Sequence, residues 1–186
     1  MLRESRVVAG LLLKGVEGVA WNSAIRVENV LQKSSPATAV RQARLIRFRL
    51  ETVGRPVWKL IKGSDKEVAT QLLFAAAIKH SELLKDFVRE VVADHVRRLE
   101  NILSLNAWER FLSDCEARDN NVRAWSAVTR KKLLQVIIRI LAEARYLEST
   151  RSLRLLPPHL SAIARGALAD AGEGALIKIM ELQHER

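Results

Sequence analysis

Apolar side chains recur at three- and four-residue intervals through most of the 186 residues, the period that lines one face of an α-helix. Residues 2–14 carry Val7, Leu11 and Lys14 at that spacing with Val8 and Leu12 beside them, and Gly15 and Gly18 interrupt the pattern. It resumes over 19–32 through Trp21, Ile25, Val27 and Leu31. Within residues 29–50, NVLQKSSPATAVRQARLIRFRL, Ser35 can cap a new helix, and Pro36 takes the first helical position, where a missing N–H costs nothing. That helix is expected to run to about Val53, with Gly54 ending it and Pro56 starting the short segment VWKLIK. Asp65 caps the next helix, through Val68, Leu72, Leu73, Ala76 and Ile78. Ser81 opens another, SELLKDFVREVVADHVRRLENIL, burying Leu84, Val88, Val91 and Val92. Ser104 or Asn106 starts NAWERFLSDCEAR, which ends at the polar run 119–121.

The last third reads differently. Thr129 or Ser126 caps RKKLLQVIIRILAEARYL, which turns Leu133, Ile137, Ile140 and Leu141 inward. Leu153 and Leu155 then alternate with Ser152 and Arg154, a short strand signal halted by Pro157 and Pro158. One of those prolines is expected to open a helix to about Asp170, and Gly172 and Gly174 precede a last apolar turn. Helix, tight turn, short strand and helix fit a winged-helix unit, or a plain helical hairpin with an extended loop. The expected fold is all-α: a compact multi-helix bundle, with a small winged-helix-like C-terminal part containing a short strand or hairpin as the open alternative. Residues 119–121 supply the boundary between an N-terminal helical subdomain, 1–121, and a C-terminal one, 122–186, sharing one core.

Charge sharpens this picture. There are 31 basic and 21 acidic side chains, a net charge of +10 and a pI near 10.3, a balance that favours nucleic acid, an anionic membrane surface or an acidic protein as partner. Residues 1–66 hold 13 basic against 5 acidic side chains, residues 67–121 hold 7 against 10, and residues 122–186 hold 11 against 6. Basic ends around a mildly acidic middle suit two contact surfaces on one scaffold. The longest apolar runs, 7–13 and 72–78, are far short of the ~20 residues that span a bilayer. Arg3 and Arg6 before VVAGLLL superficially resemble a signal peptide, but Lys14 closes that run, which reads instead as the first core helix of a cytoplasmic protein. Cys115 is the only cysteine. It admits no intrachain disulfide, fits a reducing compartment and is expected to be a small buried thiol near Trp108 and Phe111.

The candidate chemistry is electrostatic. On the helix from Pro36, the positions Ala39, Ala43, Ile46 and Leu50 share one face, while Arg41, Arg44 and Arg47 climb a different one. Such a rail can meet the regular negative charge of a nucleic-acid backbone, although a solvated charged face is the ordinary reading. Lys59 and Lys62 extend the surface. Arg130, Lys131 and Lys132 sit at the start of their helix, where the macrodipole is already positive and an anion offsets the crowding; exposure to water also suffices. Arg151 and Arg154 occupy the candidate wing, within reach of a groove. Trp21, Trp108 and Trp125 lie in apolar helical contexts and belong to the core. Trp58, between Pro56 and Lys59, is the aromatic to test for ligand contact.

Catalytic patterns are missing. The chain has no Gly-rich phosphate loop, no histidine pair at metal-ligand spacing and no cysteine pair. His80 and His95 are expected at helix ends or polar faces, His159 near a helix start, and His184 in the polar tail. No catalytic residue, cofactor or metal site is expected, and an enzyme is the weakest class.

Several segments agree in order with one family. RESRVVAGLLL (3–13 begins it at Arg3), NVLQKSSPATAVRQARLIRFRLE (29–51), LLFAAAIKHSELLKDF (72–87), NAWERFL (106–112) and LLQVIIRILAEARYL (133–147) with LLPPHL (155–160) resemble the BrxA family of small components of bacterial BREX phage-exclusion systems. The RES opening lies close to Met1, whereas such proteins carry a short stretch ahead of it, so the chain is read as starting late. The resemblance implies a NusB-like all-helical bundle, DNA binding without catalysis, and membership of a multi-protein defence apparatus. An inner-membrane label once attached to the family finds no span here. The resemblance transfers no catalytic residue. Together with the basic faces it leads to a sequence-tolerant binder of double-stranded DNA that works with other BREX proteins. A protein-interaction adaptor is the alternative, and a NusB-like RNA-binding factor ranks third.

Overall fold

The computed structural model describes residues 1–183, and among them the architecture is all-α. Local chemistry places the helix starts. Ser35 Oγ accepts from the Thr38 N–H at 3.2 Å to cap α3 (Pro36–Glu51), and Asp65 Oδ1 accepts from Val68 N at 2.9 Å to cap α5 (Lys66–His80). Ser126, not Thr129, caps α10 (Ala127–Glu143), accepting from Thr129 N at 3.2 Å. Between them lie α1 (Leu2–Leu13), α2 (Gly18–Asn22), which continues as a π-helical turn Ser23–Val27, and α4 (Gly54–Gly63). Gly54 adopts φ +77°, the left-handed bend that lets α4 follow α3 after two residues.

The chain forms two compact units: residues 1–81 with 160–177, and residues 82–159 with 178–186. Residues 119–121, where composition suggested a boundary, lie inside the second unit. Asp119 is the single residue between two helices, accepting from the Asn121 N–H to cap the second, and Asn120 and Asn121 are that helix's first residues.

In the first unit α5 is the central helix. It is apolar on every side, with Val68, Ala69, Leu72 and the run Phe74–Ile78 all buried, as a helix enclosed by others must be. α1, α3 and α4 pack with it through Val8, Ile46, Leu50, Val57 and Ile61. The late segment α11 (Ala162–Asp170) joins this unit through a buried polar clasp. Gln71 Oε1 on α5 accepts from Ser161 N at 3.0 Å and Ser161 Oγ at 2.8 Å, and Ser161 Oγ in turn caps α11. α11 therefore starts four residues later than the prolines suggested. The Leu156 N–H is committed to the Tyr146 carbonyl at 3.0 Å, and the restriction that proline places on its predecessor keeps this stretch extended.

The second unit begins with the segment expected as one long helix. It is instead α6 (Glu82–Asp86), a π-helical stretch Phe87–Val92 and α7 (Ala93–Arg97), ended by Leu99 at φ +58°. The wider π winding brings Phe87, Val88, Val91 and Val92 to the core together. Phe87, Trp108 and Phe111 form its aromatic centre, with ring centroids 5.4–5.9 Å apart. Next come α8 (Leu105–Arg118), the single turn α9 (Asn120–Arg123) and α10. Three short extended segments complete the unit. Residues 153–156 lie between 101–103 and 146–148, with antiparallel bridges Ile102–Arg154 and Leu147–Leu155. The Leu103 N–H donates to Leu153 O and the Glu148 N–H to Arg154 O, both at 2.9 Å.

The order helix, extended segment, α8, α10 and hairpin, with the single turn α9 in the link between the two helices and the last segment in the middle of the three, follows the winged-helix arrangement. The strand signal at 152–155 is thus one arm of a hairpin whose turn, 149–152, is closed by Ser149 Oγ accepting from Ser152 N at 3.0 Å. α12 (Gly174–Met180) follows α11, and buried Tyr146 donates its hydroxyl proton to the Met180 carbonyl.

Candidate nucleic-acid interface

The expected basic residues divide between the two units, and the structure treats them unequally. In the first unit Arg41 and Arg44 are exposed on α3 and make no ion pair among the described residues. With Arg26 from the π-turn they border a concave surface of about 640 Å³ whose remaining lining is apolar, including Val40, Leu45 and Phe48. The Arg44 guanidinium lies 5.3 Å from the Phe48 ring centroid, a cation–π contact that leaves its edges open to an anion. Arg47 is different. A three-residue step turns each successive arginine about 60° round the helix axis, and by Arg47 the stripe has rotated onto the fold. Its Nε donates to Glu51 Oε1 at 2.7 Å, Glu17 lies 3.6 Å away, and the guanidinium covers the Trp21 ring at 4.9 Å. Arg47 is a structural clamp between α2 and α3. Lys59 and Lys62 are exposed on α4, the Lys62 stem crossing Gly10 of α1. Trp58 is anchored by its Nε1–H, which donates to the Leu50 carbonyl at 2.6 Å, and its ring is half-buried, so only part of it is open to a ligand.

In the second unit Lys131 and Lys132 are exposed at the start of α10, without an ion pair among the described residues. Arg130 points the other way: it pairs with Glu116 of α8, and its Nε donates to Trp125 O at 3.1 Å. Arg130 therefore fastens α10 to α8. Arg151 is exposed in the hairpin turn, and Arg154 stands 3.7 Å from Glu148 as an exposed pair.

Sequence reasoning missed the composition of the rest of α10. Its exposed positions Val128, Lys131, Lys132, Gln135, Val136 and Arg139 form one face, with Val128 63% and Val136 46% exposed. The signal was legible as spacing, since these residues recur at three- and four-residue steps and the only acid of the helix is Glu143 at its last position.

Among the described residues, no three or more His, Cys, Asp or Glu side chains lie close enough together to share a metal ion. His95 is buried, contrary to its expected polar setting. Its Nδ1 bonds the Val91 carbonyl at 2.8 Å and its Nε2 accepts from Ser104 N at 3.3 Å. His80 stacks on Phe48 and His159 is exposed, while His184 lies outside the described residues. Cys115 is buried, and that burial pushes its thiol pKa up, so the proton is retained at neutral pH. No helix among the described residues is long and apolar enough to cross a membrane.

Known proteins resemble this chain over nearly its whole length. A solved structure of an uncharacterized protein from Magnetospirillum magneticum superposes with a TM-score of 0.89 at 38% identity, covering 98% of this chain and 93% of that one. The BREX protein BrxA of Paramagnetospirillum magneticum is 41% identical over 181 residues, 97% of this chain and 91% of its own length. The BREX protein BrxA of Escherichia coli O9:H4 is 37% identical over 182 residues, 97% of this chain and 85% of its own. The BrxA family pattern itself matches residues 1–172, and with that match the chain belongs to the BrxA family.

Proposed function

We propose that this protein is a non-catalytic, duplex-DNA-binding component of a BREX phage-defence system, gripping DNA mainly through backbone phosphates. One observation carries the reading: in a winged-helix arrangement, α10 presents Lys131 and Lys132 without carboxylate partners, and the following hairpin presents Arg151 at its turn. Helices in this position of helix-turn-helix proteins enter the major groove. Arg41, Arg44, Lys59 and Lys62 supply a second set of phosphate contacts on the other unit. Arg47, Arg130 and Arg154 are left out of the grip, since each already faces a carboxylate. Neutralising roughly 4–6 phosphates makes log K fall with log salt at a slope of about −4 to −5. A titration across a salt series tests this with wild type, Lys131→Gln/Lys132→Gln and Arg41→Gln/Arg44→Gln. Both variants should bind more weakly to every duplex, each with a slope shallower by about 2. Affinity indifferent to salt would refute the mechanism.

A second reading draws on the α3 groove. Three arginines around an apolar floor match an acidic amphipathic helix of another BREX protein better than a phosphodiester strand, which has no use for Val40, Leu45 and Phe48. Binding of a purified BREX protein that survives nuclease treatment and fails with Arg41→Glu/Arg44→Glu supports it.

A further inference from the structure

The α10 surface contains more than cations. Val128 before the two lysines and Gln135 and Val136 after them are all exposed, on the same arc as Lys131, Lys132 and Arg139. A surface built only to grip phosphates has no need of two solvent-facing valines. An exposed β-branched residue such as Val136, in mid-helix, is neither a good helix former nor favourable in water, and Val128 in the first turn is likewise apolar and solvent-facing. The buried side of α10, Ile137, Ile138 and Leu141, already satisfies the core, so the valines are not there for the fold.

We infer that the α10 face reads base edges in the major groove, with Gln135 and Val136 as its specificity-determining residues and an A·T-containing duplex site as its ligand. The inference rests on the DNA-binding reading and departs from the sequence-tolerant binding that the arginine stripe suggested. Its chemistry is definite. A glutamine amide offers a donor and an acceptor in the pattern that adenine N7 and N6 complement. A valine methyl pair makes apolar contact with the thymine C5-methyl. Lys131 and Lys132, one turn towards the helix start, are placed for the flanking phosphates and fix register without reading sequence. Gln135 makes no hydrogen bond among the described residues, so its amide is uncommitted. No carboxylate precedes Glu143 on the helix, so the groove's negative potential meets no repulsion along the reading face. Arg151, in the hairpin turn, reaches backbone on this reading.

The test is selection of the full chain against a random duplex library, followed by titration of the enriched site and of a scrambled one. Wild type should enrich a motif with an A·T pair at its centre. Gln135→Ala should lose about tenfold or more of the preference for that motif, and Val136→Ala a smaller part of it because one methyl remains, both holding affinity for the scrambled duplex. Lys131→Gln/Lys132→Gln should weaken both duplexes alike. Since all four side chains are exposed, an unchanged melting temperature separates lost contacts from lost fold. Duplex binding with no enriched motif, or a motif indifferent to Gln135→Ala and Val136→Ala, overturns base reading and leaves the phosphate grip standing. A protein that binds structured RNA in preference to every duplex, or binds no duplex at low salt, overturns the proposed function itself.

Discussion

Single residues in this protein separate by whether their charge is already answered. Lys131 and Arg41 face water, whereas Arg47 and Arg130, drawn from the same runs, are held by Glu51 and Glu116. Their substitutions should differ in kind. Arg130→Gln removes a half-buried pair between α8 and α10 and should lower thermal stability, while Lys131→Gln should leave the melting temperature unchanged and, under the proposed function, lower duplex affinity; differential scanning calorimetry beside a binding titration distinguishes them. Glu4 provides a pH-dependent case. The hydrogen bond from Lys33 Nζ, its largest influence, holds its pKa below the ordinary 4.5 despite partial burial. A carboxylate with a lowered folded-state value contributes stability above its unfolded pKa and loses it as pH falls through the folded one. The melting-temperature gap between wild type and Glu4→Gln should therefore be largest near neutrality and close as the pH drops below the usual carboxylate range. Cys115, buried and raised in pKa, should resist thiol reagents in the native state and react promptly once denaturant opens the fold.

At the scale of elements, short polar contacts decide where helices begin and turn. Gly54 at φ +77° joins α3 to α4, and Gly54→Ala should destabilise the fold by about 1–2 kcal/mol because a Cβ disfavours that conformation. Gln71 is the clearest case of a side chain organising a distant element. It holds Ser161, 90 residues on, at the start of α11. Gln71→Ala leaves the Ser161 N–H buried without that acceptor and should cost about 1–3 kcal/mol, with the loss of hydrogen-exchange protection concentrated in α11. His95 plays a comparable part in the second unit, joining the carbonyl of Val91 to the N–H of Ser104 across the turn before α8.

For the molecule as a whole, two basic sets on two compact units make a specific quantitative demand on binding. If both engage one duplex, removing either pair of cations shortens the salt slope by about 2, and removing both pairs shortens it by about 4. If the α3 groove docks protein instead, Arg41→Gln/Arg44→Gln leaves the slope alone and only the α10 pair changes it. Titrations of the two double variants and their combination decide between these outcomes. The net charge of +10 predicts in either case a non-specific component that disappears at high salt.

Much of this was readable in one dimension because it depends on neighbours in sequence. Helix period, the caps at Ser35 and Asp65, the choice of Ser126 or Thr129 as the cap of α10, the helix stop at Gly54 and the strand signal before Pro157 are local effects, and the chain's all-α class followed from them. The family likeness was legible on the same helices. What needed three dimensions was anything set by partners far along the chain. Helix period does reveal Glu51 one turn from Arg47, but Glu17 and Glu116 lie 30 and 14 positions from the arginines they meet, and no periodicity reveals those. Residues 160–177 belong to the first unit, where α11 packs with α4 and α5 and Gln71 meets Ser161, although composition grouped them with the last third. The winged-helix order emerged only when residues 101–103 came to lie beside 153–156, because backbone pairing joins segments by space and not by adjacency. Sequence alone determined which helices form; tertiary structure decided which charges remain free to bind.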